Sequence, residues 1–148
     1  MIDRTAQRAR ELFESGFYCA ESVLMAVAEA YGIESDLIPK IATGFCAGIA
    51  RTCGLCGAVS GAIMGIDLLT GRTSKETSPD ANYALVRALL DEFRGRFSST
   101  NCAELLGCDL GTAEGQAFFK DNRLRERCAE YTGEAARIAM ALLAEKRQ

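Results

Sequence analysis

The sequence contains no histidine among its 148 residues. Histidine is the commonest general base and the commonest metal ligand, so its absence removes both from any mechanism. Ser-His-Asp and Cys-His nucleophile systems, histidine-ligated zinc or copper, and haem attached at a Cys-x-x-Cys-His motif are therefore excluded. Thiolate and carboxylate groups remain as the candidates for chemistry.

The chain also lacks a block of like charge and a long apolar run. Its 17 basic and 20 acidic residues give a net charge of -3, and we expect no nucleic-acid partner. The longest uncharged stretch, residues 52–66, has 15 residues and is too short to span a bilayer, so we expect no membrane partner. The N-terminal segment is charged and amphipathic, unlike a secretory signal, which predicts a cytoplasmic protein.

Apolar residues recur at helical spacing almost throughout, and no alternating run of β-branched residues indicates a strand. The sequence therefore predicts an all-α fold, a single cysteine-rich helical domain over residues 1–148 with about five main helices and several short ones. Capping residues, glycines and prolines set the predicted boundaries. The predicted helices cover approximately residues 4–15, 18–32, 35–44, 55–70, 78–95, 101–107 and 112–120, and a last helix starts near residue 124.

Seven cysteines are many for an intracellular domain, and in a reducing cytoplasm they indicate metal ligands or redox thiols before permanent disulfides. Four of them, Cys19, Cys56, Cys102 and Cys128, fall in the first or second turn of a predicted helix. Free amide groups and the helix dipole stabilise a thiolate there and lower its pKa. If these helix starts converge, four sulfurs meet in one site.

Cys53 and Cys56 form a Cys-x-x-Cys motif, which can close as a redox disulfide or offer two ligands to zinc or iron. Beyond it, Gly57, Gly61 and Gly65 recur every four residues and form a smooth ridge. An inorganic group could rest on this ridge, which makes Gly57 and Gly61 candidate cofactor-binding residues, although a close helix crossing is the favoured interpretation.

The alternative for several cysteines is packing alone, because free cysteine is a small and frequently buried hydrophobic residue. This interpretation is favoured for Cys46, Cys53 and Cys108. By periodicity alone, Cys128 is also a core residue, because it begins an apolar stripe of the last helix. It is a candidate ligand only when it is considered together with the other cysteines at helix starts.

Four separated elements of the chain carry a resemblance to a known family. They are residues 16–24 (GFYCAESVL), residues 56–62 (CGAVSGA), residues 101–107 (NCAELLG), and Cys128 ahead of the closing helix. In this order they resemble the C_GCAxxG_C_C family of redox-active proteins, over nearly the whole chain. The sequence departs from the family's named pattern because Leu55, not glycine, precedes Cys56.

The resemblance implies a helical protein with four family cysteines, here Cys19, Cys56, Cys102 and Cys128, and a role in electron transfer or iron-sulfur binding. The leading hypothesis is an iron-sulfur cluster, or iron, held by these four thiolates, with Cys53 as a fifth candidate ligand and zinc as the second choice of metal. It serves electron transfer or redox sensing with a redox partner protein.

Two alternatives stay open. The first is a metal-free dithiol oxidoreductase in which Cys53 and Cys56 are the catalytic redox pair. The second is a helical interaction module whose cysteines are structural. The sequence leaves open whether the protein is an enzyme and whether it forms a homo-oligomer.

Overall fold

A computed structural model describes residues 1–146 and confirms the all-α fold. Within these residues the chain forms eight helices and one 3-10 helix. In order they are α1 (Ile2–Ser15), α2 (Cys19–Ala30), the 3-10 helix (Lys40–Phe45), α3 (Cys46–Arg51), α4 (Gly57–Thr70), α5 (Asp80–Phe97), α6 (Cys102–Leu106), α7 (Ala113–Asp121) and α8 (Arg125–Lys146).

Five long helices form a bundle, in which α8 packs against α1, α2, α4 and α5. The helices α3, α6 and α7 are short, so the expected division into about five main helices and several short ones is confirmed. The bundle interior is apolar, and its largest fully buried side chains include Phe93, Leu24, Ile66 and Leu89. None of the helices within residues 1–146 is both long and apolar enough to cross a membrane.

The helix boundaries follow the capping signals of the sequence. Gly16 ends α1 with a φ of 123°, a conformation that favours glycine. The side chain of Asn101 accepts a hydrogen bond from the amide of Glu104 and caps α6, and Thr112 caps α7 in the same way. These capping predictions are confirmed.

The helix predicted over residues 35–44 is wrong. Turns occupy residues 36–39, and only the 3-10 helix follows. Pro39 has no amide hydrogen and restricts the backbone of Ile38, so an α-helix beginning at Ser35 does not extend through this segment.

The connection after the 3-10 helix has a backbone that the sequence did not reveal. Five consecutive residues, Ala47 to Arg51, have φ between 52° and 65°, so most of α3 is a turn of left-handed helix. This conformation costs L-residues about 1–2 kcal/mol each, and four of the five are not glycine. Contacts with the rest of the protein must therefore hold this left-handed turn in place.

The glycine ridge of α4 lies against α2. A Cβ atom added to Gly61 would lie 2.6 Å from the carbonyl oxygen of Ala20, and one added to Gly65 would lie 3.1 Å from the side chain of Val27. Both glycines therefore permit a close approach of the two helices, as the helix-crossing interpretation expects.

The aromatic group in the core gives a prediction. Phe93 is fully buried, and its ring lies 4.8 Å from that of Phe97 and 6.0 Å from that of Tyr131. We expect Phe93→Ala to lower the free energy of unfolding by about 3–5 kcal/mol, because it leaves a cavity in a packed core. The exposed Tyr83 on the same helix is the control. Tyr83→Ala should change the free energy of unfolding, measured in urea, by less than about 0.5 kcal/mol.

The helix crossing gives a second prediction, in which one substitution has opposite effects at two helical sites. Gly61→Ala should destabilise the protein by about 1–3 kcal/mol, because its methyl group meets the backbone of α2. Gly95→Ala should stabilise it by about 0.5–1 kcal/mol, since nothing lies within 4 Å of the added atom and alanine favours a helix. Equal effects in thermal or urea unfolding would contradict the close crossing at Gly61.

Candidate functional site

The four cysteines predicted at helix starts all line one cavity. Its volume is about 320 Å³, within the range of small-molecule and cofactor sites. Cys19 is the first residue of α2, Cys56 is the N-cap of α4, Cys102 is the first residue of α6, and Cys128 lies in the first turn of α8. The four helix starts therefore converge on one cavity.

Cys56 and Cys102 are held side by side by a short antiparallel bridge between Leu55 and Asn101. The amide of Cys56 donates to the carbonyl of Thr100 at 2.7 Å, and the amide of Cys102 donates to the carbonyl of Gly54 at 2.9 Å. These backbone hydrogen bonds fix the two cysteines relative to each other, although 46 residues separate them in the sequence.

Gly57 leaves room for the sulfur of Cys19 beside the start of α4. A Cβ atom added to Gly57 would lie only 2.2 Å from the sulfur of Cys19 and 3.2 Å from the Cα of Cys46. A side chain at this position would displace the Cys19 sulfur. Gly57 also lines the cavity, a suitable location for the cofactor-binding role predicted for it. Gly61 instead faces the backbone of α2. The cofactor-binding role of both glycines stays a prediction.

Cys128 reaches the cavity from α8, together with Arg125 and Tyr131 one turn away on either side. The guanidinium of Arg125 donates to the carbonyl oxygen of Phe13 at 2.9 Å and lies 4.8 Å from the centre of the Phe13 ring. The hydroxyl of Tyr131 donates to the carbonyl of Leu105 at 3.2 Å. These contacts fix the wall around Cys128 and place one cation beside the thiols.

The left-handed turn forms another part of the wall. Ala47, Gly48 and Arg51 line the cavity, and a Cβ atom added to Gly48 would lie 2.5 Å from the Cβ of Cys102. The amide of Gly54 donates to the carbonyl of Gly48 at 2.8 Å. The turn is thus held against α6 by close packing that a side chain at residue 48 would prevent.

Burial is the largest cause of the raised pKa of three cavity thiols. It raises the pKa of Cys56 to about 11, although amides at the start of α4 act to lower it. Burial also raises the pKa of Cys102 to about 11, with further increases from Cys108 and Cys53. The pKa of Cys128 rises to about 12, because burial and the neighbouring sulfurs outweigh the charge of Arg125. The predicted lowering of pKa at these three helix starts is therefore wrong: desolvation exceeds the effect of the helix end.

Cys53 lies outside this cavity. A side-chain interaction with Asp109 raises the pKa of the Cys53 thiol, and burial and the sulfur of Cys108 add to the shift. Cys56, in contrast, faces the cavity beside Cys102. The two cysteines of the Cys-x-x-Cys motif thus have different surroundings, and their role as a redox pair stays a prediction.

The packing interpretation fits Cys46, which is buried, better than Cys53 and Cys108, which are half-buried.

Across residues 1–146, no three acidic or cysteine side chains converge closely enough to bind one metal ion. The cavity thiols surround a space instead of meeting at a point. Their chemistry as a donor set suits a thiophilic metal, and the space between them is larger than one ion needs.

Sequence reasoning missed the left-handed turn and the part that Arg125 has in the cavity. The sequence spacing could have predicted Arg125 as a cavity residue, since it precedes Cys128 by three residues on the same helix and must share its face. No sequence signal indicated the left-handed turn, because Ala47, Ile49 and Ala50 favour other conformations.

Comparison with known proteins adds a family to this geometry. A protein-family model described as "Putative redox-active protein (C_GCAxxG_C_C)" matches residues 17–142. The chain is also 28% identical to an uncharacterized protein of Archaeoglobus fulgidus, over 98% of this chain and 97% of that protein. No solved structure matches the chain. The matched residues include all four cavity cysteines and most of the bundle, and the chain belongs to the C_GCAxxG_C_C family.

Proposed function

We propose that the cavity is a redox centre in which Cys19, Cys56, Cys102 and Cys128 bind an iron-sulfur cluster, and that the protein transfers electrons to or from a partner protein. The observation that carries this proposal is the gathering of the four thiols around one cavity. Spacings of 37, 46 and 26 residues separate them in the sequence, so the fold, not local sequence, brings them together.

The ionisation of the thiols supports a bound cation. Cys102 raises the pKa of Cys56, and Cys56 and Cys102 both raise the pKa of Cys128. A thiol with a raised pKa is a poor nucleophile at neutral pH, which disfavours catalysis by the bare thiols. A metal centre reverses this situation, because a coordinating thiol is deprotonated outright.

The remaining cavity residues suit a buried electron-transfer centre. A bound iron-sulfur cluster would supply a reversible one-electron couple. Phe13 and Tyr131 line the cavity with aromatic rings, and the charge of Arg125 lowers the pKa of Cys128 and so favours its ionised form. Zinc remains the second choice of metal, with a structural role, since zinc has no redox chemistry of its own.

The metal-free alternative has less support. A redox pair of Cys53 and Cys56 requires their sulfurs to face each other, whereas the groups that raise the pKa of Cys53 are Asp109 and Cys108. The buried sulfur of Cys56 has Cys102 as its neighbour.

The first test of the proposal is the metal content of protein purified without oxygen. We expect iron, acid-labile sulfide and visible absorption in the unaltered protein, and a loss of iron affinity of at least about 10–100-fold in Cys56→Ser, because one ligand is removed. Cys108→Ser is the matched control, since Cys108 lies outside the cavity and its variant should keep the iron.

Circular dichroism of both variants would establish that they retain the helical fold. The proposal fails if the unaltered protein binds no iron after reconstitution with ferrous iron and sulfide, or if Cys56→Ser and Cys108→Ser retain equal amounts. Zinc in place of iron, lost in Cys56→Ser alone, would convert the proposed redox centre into a structural metal site.

The raised pKa values predict alkaline instability of the metal-free protein. The folded state binds thiol protons more tightly than the unfolded chain, whose thiols titrate near 9.0. This stability is fully present below the unfolded pKa and is lost as pH rises towards about 11 or 12. Urea unfolding should therefore show a smaller free energy of unfolding at about pH 10.5 than at about pH 8.

The serine variant of Cys128 isolates one part of this effect. Serine does not titrate in this range, so Cys128→Ser should lose less stability than the unaltered protein between the same two pH values. Equal losses in the two proteins would contradict the raised pKa of Cys128.

A further inference from the structure

Cys46 is not among the four family cysteines, yet it lies beside one of them. A point 2.2 Å from the sulfur of Cys19, where Gly57 would carry a Cβ, is also 3.2 Å from the Cα of Cys46. The distance between the Cys19 sulfur and the Cys46 Cα therefore does not exceed the sum of those two values. A side-chain interaction with the Cys19 thiol also raises the pKa of the Cys46 thiol.

We propose that Cys19 and Cys46 form a reversible disulfide, which withdraws Cys19 from the four cavity thiols. Formation of this disulfide does not depend on the proposed function. Its effect on metal binding, the removal of Cys19 as a ligand, does rest on the proposed function. Cys19 thus has two alternative partners, the contents of the cavity and Cys46.

The two sulfurs differ in the way a reactive and a resolving cysteine should differ. Cys19 is half-buried and lines the cavity, so a small oxidant reaches its sulfur. Cys46 is buried, with 5% of its surface exposed, and its sulfur lies 3.7 Å from the carbonyl oxygen of Ala42. Redox-sensing cysteines are accessible to solvent and often lie next to a resolving cysteine, as Cys19 lies next to Cys46.

The backbone on both sides allows the sulfurs to approach. Cys19 is the first residue of α2, and Cys46 joins the 3-10 helix to α3 with an extended backbone, φ −70° and ψ 157°. Neither residue lies inside a long helix. Rotation of χ1 between staggered rotamers can therefore turn the Cys46 sulfur from Ala42 towards Cys19.

The reaction uses a low-molecular-weight disulfide as the oxidant. The thiolate of Cys19 attacks one sulfur of oxidised glutathione. The disulfide bond of glutathione breaks, one glutathione leaves as a thiolate, and Cys19 forms a mixed disulfide with the other. The largest cause of the raised pKa of Cys46 is its side-chain interaction with the Cys19 thiol, and the mixed disulfide removes that thiol. The sulfur of Cys46 then loses its proton to the solvent and attacks the Cys19 sulfur, which releases the second glutathione thiolate. The two cysteines lose two electrons and two protons, and one glutathione disulfide is reduced to two thiols.

The test is disulfide mapping of the metal-free protein after incubation with oxidised glutathione. Tryptic cleavage separates the two cysteines cleanly, because residues 11–40 contain only Cys19 and residues 41–51 contain only Cys46. We expect a cross-linked peptide pair 11–40 with 41–51 in the unaltered protein, which dithiothreitol separates. In Cys46→Ser, residues 11–40 should instead carry glutathione.

Cys108→Ser is the matched control and should form the Cys19 to Cys46 disulfide as readily as the unaltered protein. Iron-loaded protein should form this disulfide at least about tenfold more slowly, because a ligand sulfur is not free to attack. The proposal is overturned if Cys19 carries glutathione in the unaltered protein and no 11–40 with 41–51 pair appears.

The two proposals fail separately. Disulfide formation in a protein that binds no iron after reconstitution would refute the iron-sulfur centre and retain the disulfide. Iron binding without the cross-linked pair would do the reverse. Circular dichroism of Cys46→Ser before oxidation establishes that its thiols are compared in the folded protein.

Discussion

The close approach of α2 and α4 is the contact on which the cavity depends. Gly61 and Gly65 place no side chain between these helices, and Gly57 leaves room for the sulfur of Cys19. The starts of α2 and α4 therefore bring Cys19 and Cys56 to the same wall. A larger residue on this ridge would separate the helix starts and with them the two sulfurs, so packing density and chemistry are set by the same three positions.

The position of the thiols at helix starts creates a competition between two electrostatic effects. Amides at a helix start favour a thiolate, whereas burial among apolar side chains favours the neutral thiol. Burial prevails at Cys56 and Cys128, and the neighbouring sulfurs add to it at Cys128. The amides are still directed at the sulfur of Cys56, so they become stabilising once a cation compensates for desolvation.

Local signals were enough to predict most of the helices and the position of four cysteines at helix starts. Caps such as Asn101 and Thr112 act within one turn and are therefore readable from sequence. The balance of charges inside the cavity was not readable, because it depends on burial by distant segments. The helix expected from Ser35 does not form because Pro39 outweighs the capping signal of Ser35. Cys46 lies beside Cys19 although no spacing rule connects the two residues.

The left-handed turn of Ala47 to Arg51 has a consequence for the order of assembly. Its backbone is unfavourable by itself, and the close packing that holds it comes from Gly54 and from Cys102, which is distant in the sequence. The turn therefore gains its support only after the segments on either side have docked. We expect this part of the wall to close last during folding, so the thiols of the nascent cavity stay exposed on that side until the turn has formed.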